Sequence, residues 1–277
     1  MNYSIVSLLL GVALARRHPG PCRGNNVITE DNVSTIKNCS DFFGSLTFDA
    51  HKSPPKVLLR DFMSIHGNLI FNNYNGYLFK WSPKVTGSLK IINQQHCLSK
   101  VLAGIKNVPN IFLYNVSAPM HFHELRVTDS IHVYNSTTSV VTGLIAKNLN
   151  EIVIEECPYL QELEISKLQS LGNVSIHKTA LQSLSTILSH SVDVTGNLTI
   201  KEYRFQELSI GVRSIGGHIT LSDNKLLEHV YFMGLGAINH PLISKGNPRL
   251  RYLQFPRKLI TFDADVNPLA ISFPDES

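Results

Sequence analysis

The sequence predicts an all-β chain wound into a β-solenoid of about eleven coils. Two observations carry this expectation. A glycine-led alternating motif recurs every 20–24 residues, and an asparagine- or cysteine-led motif recurs out of phase with it. A third observation removes the helical alternative. Most of the chain lacks apolar residues at i, i+3, i+4 and i+7 over ten or more positions, the spacing an amphipathic helix needs. Short helical turns are allowed only near residues 32–37 and over Leu181–Leu188.

The first motif runs Gly44-Ser-Leu-Thr-Phe48, Gly67-Asn-Leu-Ile-Phe71 and Gly87-Ser-Leu-Lys-Ile91, then Gly172-Asn-Val-Ser-Ile176, Gly196-Asn-Leu-Thr-Ile200 and Gly217-His-Ile-Thr-Leu221. Apolar residues at the second and fourth positions after glycine alternate with mostly polar ones, the mark of a strand with one buried face. Between the two groups the register continues without glycine through Ile111/Leu113, Ile131/Val133 and Ile152/Ile154. Counted from two residues before each pair, the positions are 87, 109, 129, 150 and 172, in steps of 22, 20, 21 and 22. Phe112 and Tyr114 are the competing inward pair in that stretch.

The second motif is Cys157-Pro-Tyr-Leu160-Gln-Glu-Leu163-Glu-Ile165, repeated around Asn224 (Leu227, Val230, Phe232) and Asn247 (Leu250, Leu253, Phe255). Each unit therefore reads as two short extended segments and two turns. One unit cannot bury its own apolar residues, whereas a stack of units forms a continuous core.

Composition narrows the function. The 277 residues are 43% apolar and 17% charged, which is enough to build a core and too little charge for a disordered chain. The net charge of +4 comes with no dense run of like charge along the chain, so a nucleic-acid partner is not expected. No apolar run reaches the ~18–20 residues that span a bilayer. Residues 1–15, with an apolar run from Ile5 closing in Ala13-Leu-Ala15, read as a signal peptide, leaving residues 16–277 as a single solenoid domain. Sequons at Asn32, Asn38, Asn115, Asn135, Asn173 and Asn197 agree with export.

The glycine-led rungs, the N-P-x-L-x-x-L-x-F turn at Asn247 and a cysteine pair near the start together resemble receptor L-domains. Within that group, residues 22–273 are most similar to the sporulation-specific, leucine-rich-like extracellular proteins of fungal cell walls. The resemblance implies a right-handed solenoid, heavy N-glycosylation and a non-enzymatic part in cell-wall or spore-wall assembly. Wall polysaccharide or wall proteins would then be the partners. A receptor-like module for a protein ligand is the second reading, and a polysaccharide-active solenoid enzyme the third. Such fungal proteins usually carry a Ser/Thr-rich stalk and an apolar tail for a glycolipid anchor. This sequence ends at Phe273-Pro-Asp-Glu-Ser277 with neither, so membrane association through a lipid anchor is not expected from it.

The resemblance also places a cystine at the opening of the fold, which falls on Cys22 and Cys39. Such a bridge would tie down the open end of the stack. Cys97 and Cys157 lie sixty residues, about three coils, apart. At roughly 4.8 Å per rung that separation exceeds the ~7 Å a disulfide tolerates, so both are expected to be free and poorly reactive. Cys157 occupies the turn position of Asn224 and Asn247. Asn173 and Asn197 fall at outward positions and, if their rungs are adjacent, their glycans crowd one another.

No metal and no cofactor are expected. His121-Phe-His123-Glu124 has two imidazoles at strand spacing but no accompanying ligand set. Glu151, Glu155, Glu162 and Glu164 are the carboxylates a glycoside hydrolase would need in pairs, and they read equally well as a solvated acidic face. No catalytic residue is assigned.

Overall fold

The computed structural model describes residues 22–57, 59, 63–78, 81–189, 191–235, 237–238, 240–255, 262–264 and 270–272. The expected signal peptide and the last five residues lie outside them. The described chain is nearly all β, with two short helices, Glu30–Ile36 and Ser99–Leu102.

Its backbone is one parallel ladder. Twelve strands follow one another in sequence order: Asn26–Val27, Leu46–Asp49, Leu69–Asn72, Ser88–Ile92, Asn107–Tyr114, Met120–Tyr134, Asn148–Cys157, Ser170–Thr179, Leu198–Lys201, Ile219–Ser222, Leu242–Lys245 and Phe262–Ala264. Each pairs in parallel with the next, so every coil adds one rung. The stack is the solenoid that the repeats require.

The register follows the motif. Leu46, Leu69, Leu89, Ile111, Ile131, Ile152, Val174, Leu198, Ile219 and Leu242 form one buried column. Phe48, Phe71, Ile91, Leu113, Val133, Ile154, Ile176, Ile200 and Leu221 form the next. Full burial of such a side chain is worth about 1.5–3 kcal/mol, and each rung from Leu46/Phe48 to Ile219/Leu221 supplies two. Phe112 and Tyr114 point outward, since Ile111 and Leu113 fill the interior. The rung at Leu242 lacks the sequence signature because its second inward residue is Ser244, buried and bonded to the Asn247 side-chain nitrogen at 2.8 Å.

The coil has three sides where the sequence indicates two. Before the ladder strand comes a brief segment, as in Asp41–Phe43, Ser64–His66 and Lys84–Val85, or Asp193–Val194, Ser214–Ile215 and Ala237–Ile238. Two or three residues are too few to display an alternation. Five of them nevertheless bury an apolar side chain: Phe42, Ile65, Val85, Val194 and Ile215. The third side holds the cysteine- and asparagine-led motifs, with Glu162–Ser166 in one sheet and Glu207–Ile210, His229–Phe232, Tyr252–Gln254 and Ala270–Ser272 in another. Of the helical turns allowed by the sequence, the first is the helix Glu30–Ile36, while residues 185–187 form a turn only.

Two corners need special backbones. At the corner before the ladder, coils approach so closely that a Cβ on Gly172 would sit 2.0 Å from the Asn150 carbonyl oxygen. At the corner after it, nine successive coils each place one residue in the left-handed region: Asn73, Asn93, Asn115, Asn135, Glu156, Lys178, Glu202, Asp223 and Gly246, with φ between 45° and 66°. Asparagine tolerates this region best among residues with a side chain. Behind that corner lies an internal polar ladder. Ser136 accepts from the Val116 amide, Cys157 donates to the Val133 and Glu155 carbonyls, and Thr179 donates to the Leu160 carbonyl. Asn224 and Asn247 accept from the Tyr203 and Asn224 amides. These side chains satisfy turn groups that would otherwise be buried unpaired. The shared role of Cys157, Asn224 and Asn247 is thus the one their alignment indicates.

Gly172→Ala is expected to destabilise the fold by about 2 kcal/mol or more through overpacking against backbone. The outward Thr220→Ala should change stability by under about 0.5 kcal/mol. Urea unfolding of both variants measures the difference.

Candidate functional site

Cys22 and Cys39 are joined, with their Cα atoms 5.8 Å apart. The bridge closes over the helix Glu30–Ile36, whose start is capped by a reciprocal pair: Thr29 accepts from the Asn32 amide, and Asn32 accepts from the Thr29 amide at 2.8 Å. The other two cysteines are free. Cys157 is buried, and burial pushes its thiol up to about 11. Cys97 is exposed, which departs from the inertness expected of it. It precedes the short helix Ser99–Leu102 at the coil surface, whereas the sequence alignment supplies no partner position for it.

The sequons divide by environment. Asn38, Asn115, Asn135, Asn173 and Asn197 are exposed, while Asn32 is half-buried and its side-chain nitrogen donates to the Val27 carbonyl at 2.7 Å. Asn115 and Asn135 occupy successive left-handed corners. Asn173 and Asn197 stand on adjacent rungs, and the Asn173 side-chain oxygen accepts from the Asn197 amide at 3.0 Å. Asn197 does the same for His218 at 2.9 Å. These side-chain oxygens stitch neighbouring coils together on exposed residues.

The candidate metal and acid residues do not converge. His121 and His123 are exposed on the strand Met120–Tyr134, with His121 bonded to the Thr142 hydroxyl at 2.9 Å. Among the described residues, no three His, Cys, Asp or Glu side chains are grouped to hold a metal ion. Glu151 and Glu155 lie on the ladder face, while Glu162 and Glu164 belong to the strand Glu162–Ser166 on the third side.

A histidine that the sequence does not single out is better organised. His132 stacks on Phe112 with ring centroids 4.5 Å apart, and Lys90 lies over the other ring's face at 5.4 Å. Its ring nitrogens are hydrogen-bonded to the Tyr134 and Ser130 hydroxyls, both at 3.0 Å, and Ser130 donates to Asn110 at 2.7 Å. Burial holds the imidazole below its ordinary 6.5, against the opposing pull of Glu151, Asp129 and Glu155.

A concavity lies on the third corner. A groove of about 650 Å³ has Val127, Ile145, Ala146 and Leu168 as its floor and Arg126, Lys147 and Lys167 on its rim. Arg126 pairs in register with Ile145, and Ile145 with Ser166; Lys147 and Lys167 follow those by two and one residues. The three cations thus come from three successive coils and meet along the solenoid axis. In sequence they are 21 and 20 residues apart, so no run of charge announces them. Only the repeat length places them together.

No protein-family model, curated protein or solved structure matches the chain.

Maleimide labelling of the native protein is expected to modify Cys97 alone, and Cys157 only after unfolding. Rapid labelling of both thiols in the native state would contradict the buried ladder. His132 gives a pH prediction. Its folded state favours the neutral ring, so its contribution to stability is complete above pH 6.5 and declines as pH falls through the lower folded value. His132→Gln should flatten that part of the stability profile, measured by urea unfolding between pH 7.5 and 5.

Proposed function

We propose that the chain is a secreted, glycosylated structural or adhesive protein of a fungal cell or spore wall, acting in wall assembly without catalysing a reaction. It would work by display: a rigid stack presents its sides to wall polysaccharide or wall proteins. The observation that carries this reading is the placement of five of six sequon asparagines, Asn38, Asn115, Asn135, Asn173 and Asn197, on the exposed exterior of a solenoid closed at its start by a cystine. A cystine is characteristic of oxidising compartments. Each exposed corner can carry a glycan without disturbing the core. The reading also follows the likeness of the repeats to receptor L-domains and to leucine-rich-like fungal wall proteins. Among the described residues, no helix is long and apolar enough to cross a membrane.

Cell fractionation tests it. Tagged protein is expected in the glucanase-released wall fraction, running at lower apparent mass after endoglycosidase. A cytosolic, sugar-free pool would contradict the proposal.

A further inference from the structure

We propose that the groove on the third corner binds an acidic polysaccharide, with Arg126, Lys147 and Lys167 meeting its negative charges and Val127, Ile145, Ala146 and Leu168 beneath its sugar rings. The choice of a polysaccharide rests on the wall reading above; the choice of an anion does not.

The charge argument comes first. None of the three cations takes part in any ion pair or side-chain hydrogen bond among the described residues. Elsewhere this chain pairs charges between coils. Arg213 meets Asp193, which is held at about 2 by that guanidinium and the Ser214 hydroxyl, and Lys201 lies 3.8 Å from Asp223. Like charges on neighbouring strands repel, so a row of three without a counter-charge is an unfavourable arrangement for the isolated protein. A bound polyanion removes that penalty. The row covers two coil steps, about 10 Å, and suits a linear ligand with charge repeated along it better than a single small anion.

The floor selects among polyanions. Apolar side chains under a cationic rim match a chain whose units have apolar ring faces and charged edges. Pyranose rings bearing carboxylate or phosphate have that character. A nucleic acid would offer comparable charge, but the cystine at Cys22 and Cys39 and the exposed sequons point to the exported side of the cell. None of the sequon asparagines lines the groove, so glycosylation leaves its rim intact.

The test uses the full mature chain, with polygalacturonate oligomers as the acidic probe, neutral laminarin and double-stranded DNA, followed by calorimetry at low and high salt. Polygalacturonate is expected to bind, laminarin to bind far more weakly, and added salt to reduce the affinity. Replacing Arg126, Lys147 and Lys167 together by Gln should weaken binding about tenfold or more. Replacing Lys37, Lys52 and Arg249 by Gln removes the same charge from exposed sites elsewhere and should leave binding within about twofold. Matching thermal melting curves establish that both variants are folded. No binding of polygalacturonate, or equal loss in the two triple variants, overturns the proposal. Tighter binding of DNA through the same three residues overturns the choice of ligand. A cytosolic location with groove-dependent polygalacturonate binding intact would fail the wall role while leaving the groove's anion preference standing.

Discussion

Parallel hydrogen bonding between coils is the constraint on which the molecule depends. A coil of 20–24 residues exposes its backbone polar groups on both sides and has too few apolar residues to enclose a core. Stacking answers both needs together, because the rung that accepts hydrogen bonds also supplies the next layer of leucine, isoleucine or valine. The glycine corner exists because the backbones come so close there, and the left-handed corner because the chain must turn sharply out of the ladder. Serine, cysteine, threonine and asparagine behind that second corner finish the hydrogen bonding that the turn interrupts.

This economy makes the fold legible in its central columns and obscure at its edges. Leu46, Leu69 and Leu89 announce their strands because alternation persists for five residues after a glycine. Asp193–Val194 and Ser214–Ile215 leave no such trace, since an extended segment of two residues has no period to detect. The rung at Leu242 was hidden for a chemical reason: Ser244 replaces an apolar side chain and is held inside by Asn247. The exposure of Cys97 was equally illegible, because its surroundings come from coil geometry rather than from the aligned motifs.

Surface chemistry was legible in proportion to its dependence on sequence neighbours. The six sequons can be read directly, and their outward placement follows from strand alternation. The Phe112–His132 stack and the Arg126–Lys147–Lys167 row join residues a full coil apart, so scanning along the chain for clusters passes them over. Arranging the sequence by coil would have aligned both. In a solenoid the repeat length is the true unit of proximity, and columns, rather than runs, are where charge and aromatic character accumulate. One side then carries exposed sequons while another gathers unpaired cations above apolar side chains, which gives the stack distinct surfaces to present.

The most direct test of this account is a set of spin-label distances measured by pulsed electron resonance between outward ladder positions. Labels at Thr47 paired in turn with Ser175, Thr199 and Thr220 span six, seven and eight rungs. The account predicts separations near 29, 34 and 38 Å, rising by about 4.8 Å for each coil. Distances that fail to lengthen with coil number would contradict the parallel stack.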